Sequence, residues 1–104
     1  MTTPKDEMVM TILEAQVAAN EWAALEGTYR AHSSAGLPAG LVETFLVQST
    51  SEPEIWRIVS IWESGGALMR MRNSGETPGG VLIFRAAGAE PELTVHKVLH
   101  TLHR

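Results

Sequence analysis

"LVETFLVQSTSEPEIWRIVSIW", residues 41 to 62, decides the fold. Two runs rich in Val, Ile, Phe and Trp, 41–50 and 55–62, flank the turn-like "SEPE" with its Pro53, a pattern that predicts a β-hairpin. Both runs carry apolar residues on both parities: Leu41, Phe45 and Val47 against Val42 and Leu46, then Ile55, Val59 and Ile61 against Trp56, Ile58 and Trp62. An antiparallel sheet with one wet face alternates apolar and polar residues, so this doubled pattern predicts a sheet covered on both sides. The chain's own helices would cover one side. In a chain of 104 residues, a second copy of the same sheet is the simplest cover for the other.

Upstream of the hairpin, "MVMTILEAQV" (8–17) is rich in β-formers and free of Gly and Pro, and predicts a first strand. "AANEWAALEGTYRAHSSAG" (18–36) predicts an amphipathic helix with Asn20 as N-cap, Glu21 in the first turn, and Trp22, Leu25 and Tyr29 on one face. Gly27 costs about 1 kcal/mol of helix propensity relative to Ala, so it marks either a close packing contact or a weak helix. Downstream, Ser64 is placed to cap a short helix over about 65–73. In "TPGGVLIFRAAGAEP" (77–91), Val81–Phe84 could form a strand, but Pro78 and Gly88 frame a short helix over 79–87, which is preferred. "ELTVHKVLHTLH" (92–103) follows a Pro, is rich in β-branched residues, and predicts the last strand. Residues 1–7 are expected to form a flexible tail before one domain over 8–104. The order β, α, β, β, α, α, β is an α+β, ferredoxin-like split βαβ arrangement with a four-stranded antiparallel sheet.

The composition, 44% apolar and 19% charged, is that of a globular protein. A formal charge of -4 with dispersed Lys and Arg leaves no basic patch to release counterions from phosphates, so no nucleic-acid partner is expected. The absence of cysteine excludes disulfides, a thiolate nucleophile and zinc-thiolate sites, in keeping with a reducing compartment. No run approaches the roughly 20 apolar residues of a membrane span, and no basic-then-apolar leader opens the chain. A cytoplasmic location with no membrane partner is therefore expected.

The element order, the "PAG" before the second strand, "IWRIVSIWES" leading into a helix, and "TPGG…GAEP" before the last strand resemble the antibiotic biosynthesis monooxygenase superfamily of dimeric α+β barrels over about residues 8–102. The resemblance implies a homodimer in which two sheets pack face to face, each chain keeping a pocket between its sheet and its helices. The superfamily includes cofactor-free oxygenases of polycyclic phenols and quinols, heme-degrading oxygenases, isomerases and members of unknown role, and fold alone does not choose among them. Trp62 matches a position where a Trp at the end of the third strand borders the pocket. The heme-degrading branch uses an Asn on the first strand and a His on the helix after that Trp; here stand Glu14 and Gln16, then Arg70, Arg72 and Asn73. Heme cleavage by that route is disfavoured.

A cofactor-free oxygenase needs a base to deprotonate an electron-rich phenol and a partner for the resulting oxyanion. Glu14 and Glu43, acids inside otherwise apolar strands, are the candidate bases, because desolvation raises a carboxylate's pKa towards a useful range; Trp62 is the third candidate catalytic residue. The bland alternative is that each faces water. Arg57, Arg70 and Arg72 are candidate oxyanion partners. Trp22, Tyr29, Trp56 and Arg70 complete the candidate substrate-binding set, although aromatic residues at such positions often serve only as core. His96, His100 and His103 would share one face of a helix as a metal site, but on a strand only His96 and His100 share a face, roughly 13 Å apart. No metal is expected. His32, near a helix end, is expected at the surface, complementing the macrodipole. The sequence thus points to a cofactor-independent monooxygenase of an aromatic or polyketide-like ligand, working as a homodimer without metal or flavin. The rival is a non-catalytic dimeric barrel that binds a small hydrophobic ligand or serves in a stress response.

Overall fold

The computed structural model describes residues 7–102 and 104; residues 1–6 of the expected tail lie outside them. The chain runs β1 (Val9–Gln16), a 3-10 turn (Ala19–Glu21), α1 (Trp22–Ser34), β2 (Leu41–Gln48), β3 (Ile55–Trp62), α2 (Gly65–Arg72), α3 (Gly79–Ala86) and β4 (Glu92–Lys97). The four strands form one antiparallel sheet in the order β2-β3-β1-β4. This is the α+β arrangement that the apolar patterning predicts.

Local chemistry explains the element ends, with two departures from expectation, at Asn20 and at the end of β4. Ser64 caps α2 as its position predicts, its Oγ accepting the Ala67 N–H at 3.1 Å. Residues 79–86 are helical, and α3 stops where Gly88 takes φ +73° and the Ala89 N–H returns to the Phe84 carbonyl at 3.0 Å. Asn20, by contrast, does not cap α1. It sits inside the 3-10 turn, whose Glu21 N–H is already taken by the Ala18 carbonyl at 2.8 Å, and α1 begins without a side-chain cap. Of the two alternatives for Gly27 the close approach drops out, since a Cβ there would meet nothing within 4 Å, and the cost in helix propensity remains. Finally β4 ends at Lys97 instead of reaching 103, because its partner β1 runs out: Val9 opposite Lys97 is the last pair, followed by one bond from Val98 N–H to the Met8 carbonyl at 3.0 Å. His100 therefore lies beyond the strand, and His103 lies outside the described residues.

The helices cover one face of the sheet. Val9, Leu13 and Ala15 of β1 and Trp56, Ile58 and Trp62 of β3 point into that layer and are buried. Leu25 of α1 and Phe84 of α3 are fully enclosed at 0% exposure, each such burial contributing about 1.5–3 kcal/mol. The opposite face is the second apolar parity of the hairpin. It carries Phe45, Val59 and Ile12 in one cross-strand row, Ile61 and Met10 in the next, and the ion pair between Arg57 and Glu14 beyond them. No element among the described residues covers Phe45 and Val47, which remain 44% and 39% exposed.

Candidate active site

The strand register divides the helix-side layer into rows. Leu46, Ile58 and Leu13 lie side by side across β2, β3 and β1, while Leu41, Trp62 and Val9 form a second apolar row towards the other end of the sheet. Between them the same three strands place Thr44, Ser60 and Thr11 in one row. Because hydroxyls replace branched carbons there, the core divides. One cluster gathers Leu13 and Ile58 with Leu25, Ile83 and Phe84; the other gathers Val9 and Trp62 with Ala67 and Leu68.

A cavity of about 390 Å³ opens where the two clusters part, floored by Thr44, Ser60 and Thr11. Its volume is that of a small-molecule site. Trp62 and Leu13 flank the hydroxyl row, Met71 and Leu68 of α2 form one wall, and Val81 and Ile83 of α3 another. On α1, Tyr29 and His32 stand one turn apart and both face the cavity. Gly80 lets α3 approach this closely: a Cβ at that position would lie 2.6 Å from Leu13 Cδ1.

The polar groups are ordered. The Trp62 Nε1–H donates to Thr11 Oγ1 at 3.1 Å, which fixes the indole plane beside the floor. Thr44 Oγ1 accepts from both Tyr29 Oη and Ser60 Oγ, each at 3.4 Å. A hydroxyl has one proton and two lone pairs, and no hydrogen bond among the described residues uses the Thr11 or Thr44 hydroxyl as donor. The floor therefore offers two O–H donors, two strand spacings apart, to any oxygen that enters.

At the rim, Arg85 and Glu90 form a bidentate pair, with Nε to Oε2 at 3.0 Å and Nη2 to Oε1 at 2.8 Å. The hydrogen bonds and charge of Glu90 raise the Arg85 guanidinium, and the hydrogen bonds of Arg85 hold the Glu90 carboxyl below its ordinary value. Arg72 and Glu76 complete the charged part of the lining.

The structure separates the residues singled out from sequence. Trp62 and Tyr29 line the cavity. Trp22 and Trp56 pack on each other in the core, centroids 5.9 Å apart at 59°, and neither borders the cavity. Trp22 is spoken for by the Val17 carbonyl at 2.9 Å, while the buried Trp56 Nε1 has no partner among the described residues. Glu14 does not reach the cavity either: strand alternation turns it to the opposite face, where it accepts from Arg57 Nε at 2.7 Å. Glu43 stands exposed on that same face, and Arg70 is exposed on α2 outside the lining. Among the described residues no group of three His, Asp or Glu side chains is placed to hold a metal ion. The residues that sequence reasoning missed are Thr11, Thr44, Ser60, Arg85 and Glu90; His32 is exposed in the last turn of α1, as expected, and also borders the cavity.

No protein-family model matches the chain, and no curated protein matches it in sequence. Solved structures do match its fold. SnoaB, a cofactor-independent oxygenase from Streptomyces nogalater, superposes with a TM-score of 0.68 at 18% identity, over 94% of this chain and 99% of that one. A protein from Bordetella bronchiseptica, provisionally named an antibiotic biosynthesis monooxygenase, superposes with a TM-score of 0.69 at 17% identity, over 90% and 99% of the two chains. A similarly named protein from Deinococcus radiodurans gives 0.68 at 15%, over 92% and 97%. The chain has the fold of the antibiotic biosynthesis monooxygenases.

Proposed function

We propose that this protein is a cofactor-independent monooxygenase that oxidises an aromatic or polyketide-like small molecule in the cavity between sheet and helices. The observation that carries the proposal is the row of Thr44, Ser60 and Thr11 beneath the Trp62 indole, hydrogen-bond donors set in an apolar gap. The fold likeness to a cofactor-independent oxygenase supports it.

The residues fit a division of labour. The flat face of Trp62 stacks an aromatic ring, and the free hydroxyl proton of Thr11 or of Thr44 holds a ring oxygen, more tightly as that oxygen gains negative charge. Loss of the phenolic proton makes the ring electron-rich enough to pass an electron to dioxygen, and the radical pair joins as a carbon–oxygen bond. Protonation of the peroxide and loss of the ring C–H proton then cleave the O–O bond. One oxygen atom stays as a quinone carbonyl and the other leaves as water. The substrate supplies every electron for this step, so the balance needs no external reductant.

The proposal includes a homodimer, with a second copy on the open sheet face. Phe45, Val47, Val59 and Ile12 support it, since an apolar sheet face without a cover is otherwise a liability. One observation favours a second reading, a non-catalytic ligand-binding protein: Glu14 and Glu43 both lie outside the cavity. Oxygen uptake with a panel of electron-rich phenols and hydroquinones decides between them. The oxygenase reading expects consumption that falls sharply in Trp62→Phe; binding seen as Trp quenching, with no uptake for any compound, leaves the second reading.

A further inference from the structure

We infer that His32 is the group that takes the phenolic proton in this cavity. The inference rests on the oxygenase reading and supplies the reagent it lacks. The reaction needs a base that is largely unprotonated near neutral pH, yet still basic enough to accept a proton. Four titratable side chains other than arginine line the cavity: Tyr29, His32, Glu76 and Glu90. Tyr29 is a phenol like the substrate, and its Oη already donates to Thr44. Glu90 is tied to Arg85 through both oxygens and held below the ordinary carboxylate range, which weakens it as a base. Glu76, like His32, is exposed, but it stands on the irregular segment between α2 and α3, whereas His32 is held on α1. Imidazole is the side chain that ordinarily changes charge between about pH 5 and 8.

Placement agrees with this elimination. His32 sits one turn beyond Tyr29 on α1, and its Nδ1 would lie 3.6 Å from a Cβ at Gly79, so the ring rests against the start of α3. No hydrogen bond among the described residues occupies it. The base therefore stands on the helix side and the hydroxyl donors on the sheet side, with the substrate ring between them. The other charged groups of the lining are Arg72 from α2, Glu76 from the segment between α2 and α3, Arg85 from α3 and Glu90 after it; the sheet contributes no charged group, its polar part of the lining being the hydroxyls and the indole. With His32 as acceptor, the phenol's proton moves to the imidazole, leaving a phenolate oxygen on Thr11 or Thr44 and an imidazolium beside it. The cation then favours the anion.

The test uses umbelliferone, a planar phenol whose absorption band moves to longer wavelength when it ionises. Bound to the native protein, it is expected to ionise at least about one pH unit lower than when bound to His32→Gln, a tenfold difference in phenolate fraction at intermediate pH. His96→Gln, altered on the far face of the sheet, should behave as native. Native protein labelled at histidine adds a readout that needs no variant, because the His32 imidazole resonances should take on imidazolium character as the phenolate band appears. Equal ionisation in native and His32→Gln overturns the assignment and leaves the cavity intact as a binding site. Loss of the shift in Glu76→Gln but not in His32→Gln moves the base to Glu76, which also overturns it. Failure of the native protein to bind the probe removes the proposal together with the oxygenase reading.

Discussion

The indole nitrogen of Trp62, at the end of β3, donates to the hydroxyl of Thr11 on the neighbouring β1 at 3.1 Å, and both residues are buried, at 5% and 8% exposure. This bond spans the boundary between the apolar row of Trp62 and the hydroxyl row of Thr11. It lets one side chain serve both as core and as cavity wall, because the indole's apolar body packs on Val9 and Leu68 while its one polar atom is satisfied at the floor.

Replacing Thr11 by Val keeps the shape but leaves the buried Trp62 N–H without an acceptor, at a cost of about 1–3 kcal/mol. Adding Trp62→Phe should recover part of that loss, since removing both partners of a buried hydrogen bond is cheaper than removing one. Denaturant unfolding of the two single variants and the double variant measures the coupling. A neutral Thr11→Val would contradict the role given to this bond.

Two glycines should respond in opposite directions to alanine. Gly40 has φ +87°, and a Cβ there would stand 2.5 Å from the Cβ of Ala67. Gly40→Ala should therefore lose about 1–3 kcal/mol to backbone strain alone, with the clash adding to it. Gly27 lies within α1 with open space around it, so Gly27→Ala should gain about 0.4–1 kcal/mol, chiefly by restricting the unfolded chain. Thermal melts of the pair suffice; a destabilised Gly27→Ala would mean that the groove beside α1 is filled.

The fold was legible because its signals are local. Apolar runs, Ser64 before α2, and Gly88 after α3 each act within a few residues of themselves. The site was half legible for the opposite reason. Trp62 declared itself by type and by its place at a strand end, but Thr11, Thr44 and Ser60 are single polar residues in three separate strands, and only the β2–β3 and β3–β1 registers bring them into one row. Glu14 misled because a strand interior has two sides. Its parity with Met10 and Ile12 turns it away from the helices, and its cross-strand neighbour Arg57 gives it a partner there. The last strand was read too long because propensity cannot show where the partner strand begins.

The open sheet face predicts the oligomeric state. Phe45 belongs to neither buried cluster, so Phe45→Glu should leave the monomer fold unchanged by circular dichroism. A charge at the centre of a face-to-face contact would nevertheless be left desolvated. Sedimentation velocity should show the native protein as a dimer and the variant as a monomer. A native protein that sediments as a monomer at micromolar concentration would reject the homodimer.

The rim pair sets one further pH dependence, and its sign follows from the direction of the Glu90 shift. The hydrogen bonds from Arg85 favour the ionised carboxylate in the folded chain, so the folded value lies below that of the unfolded chain, ordinarily about 4.3. Whatever stability the pair contributes is thus present above that ordinary value and disappears as the pH falls through the lowered one. Arg85 adds no acid dependence, because it stays protonated throughout. Since both side chains are solvent-exposed, screening keeps the effect small in unfolding experiments. The carboxyl resonance of Glu90 is the better probe: its titration midpoint should rise in Arg85→Gln. An unchanged midpoint would mean that the bidentate geometry is not held in solution, and Glu90 would then rejoin His32 and Glu76 among the groups available to a ligand at the cavity mouth.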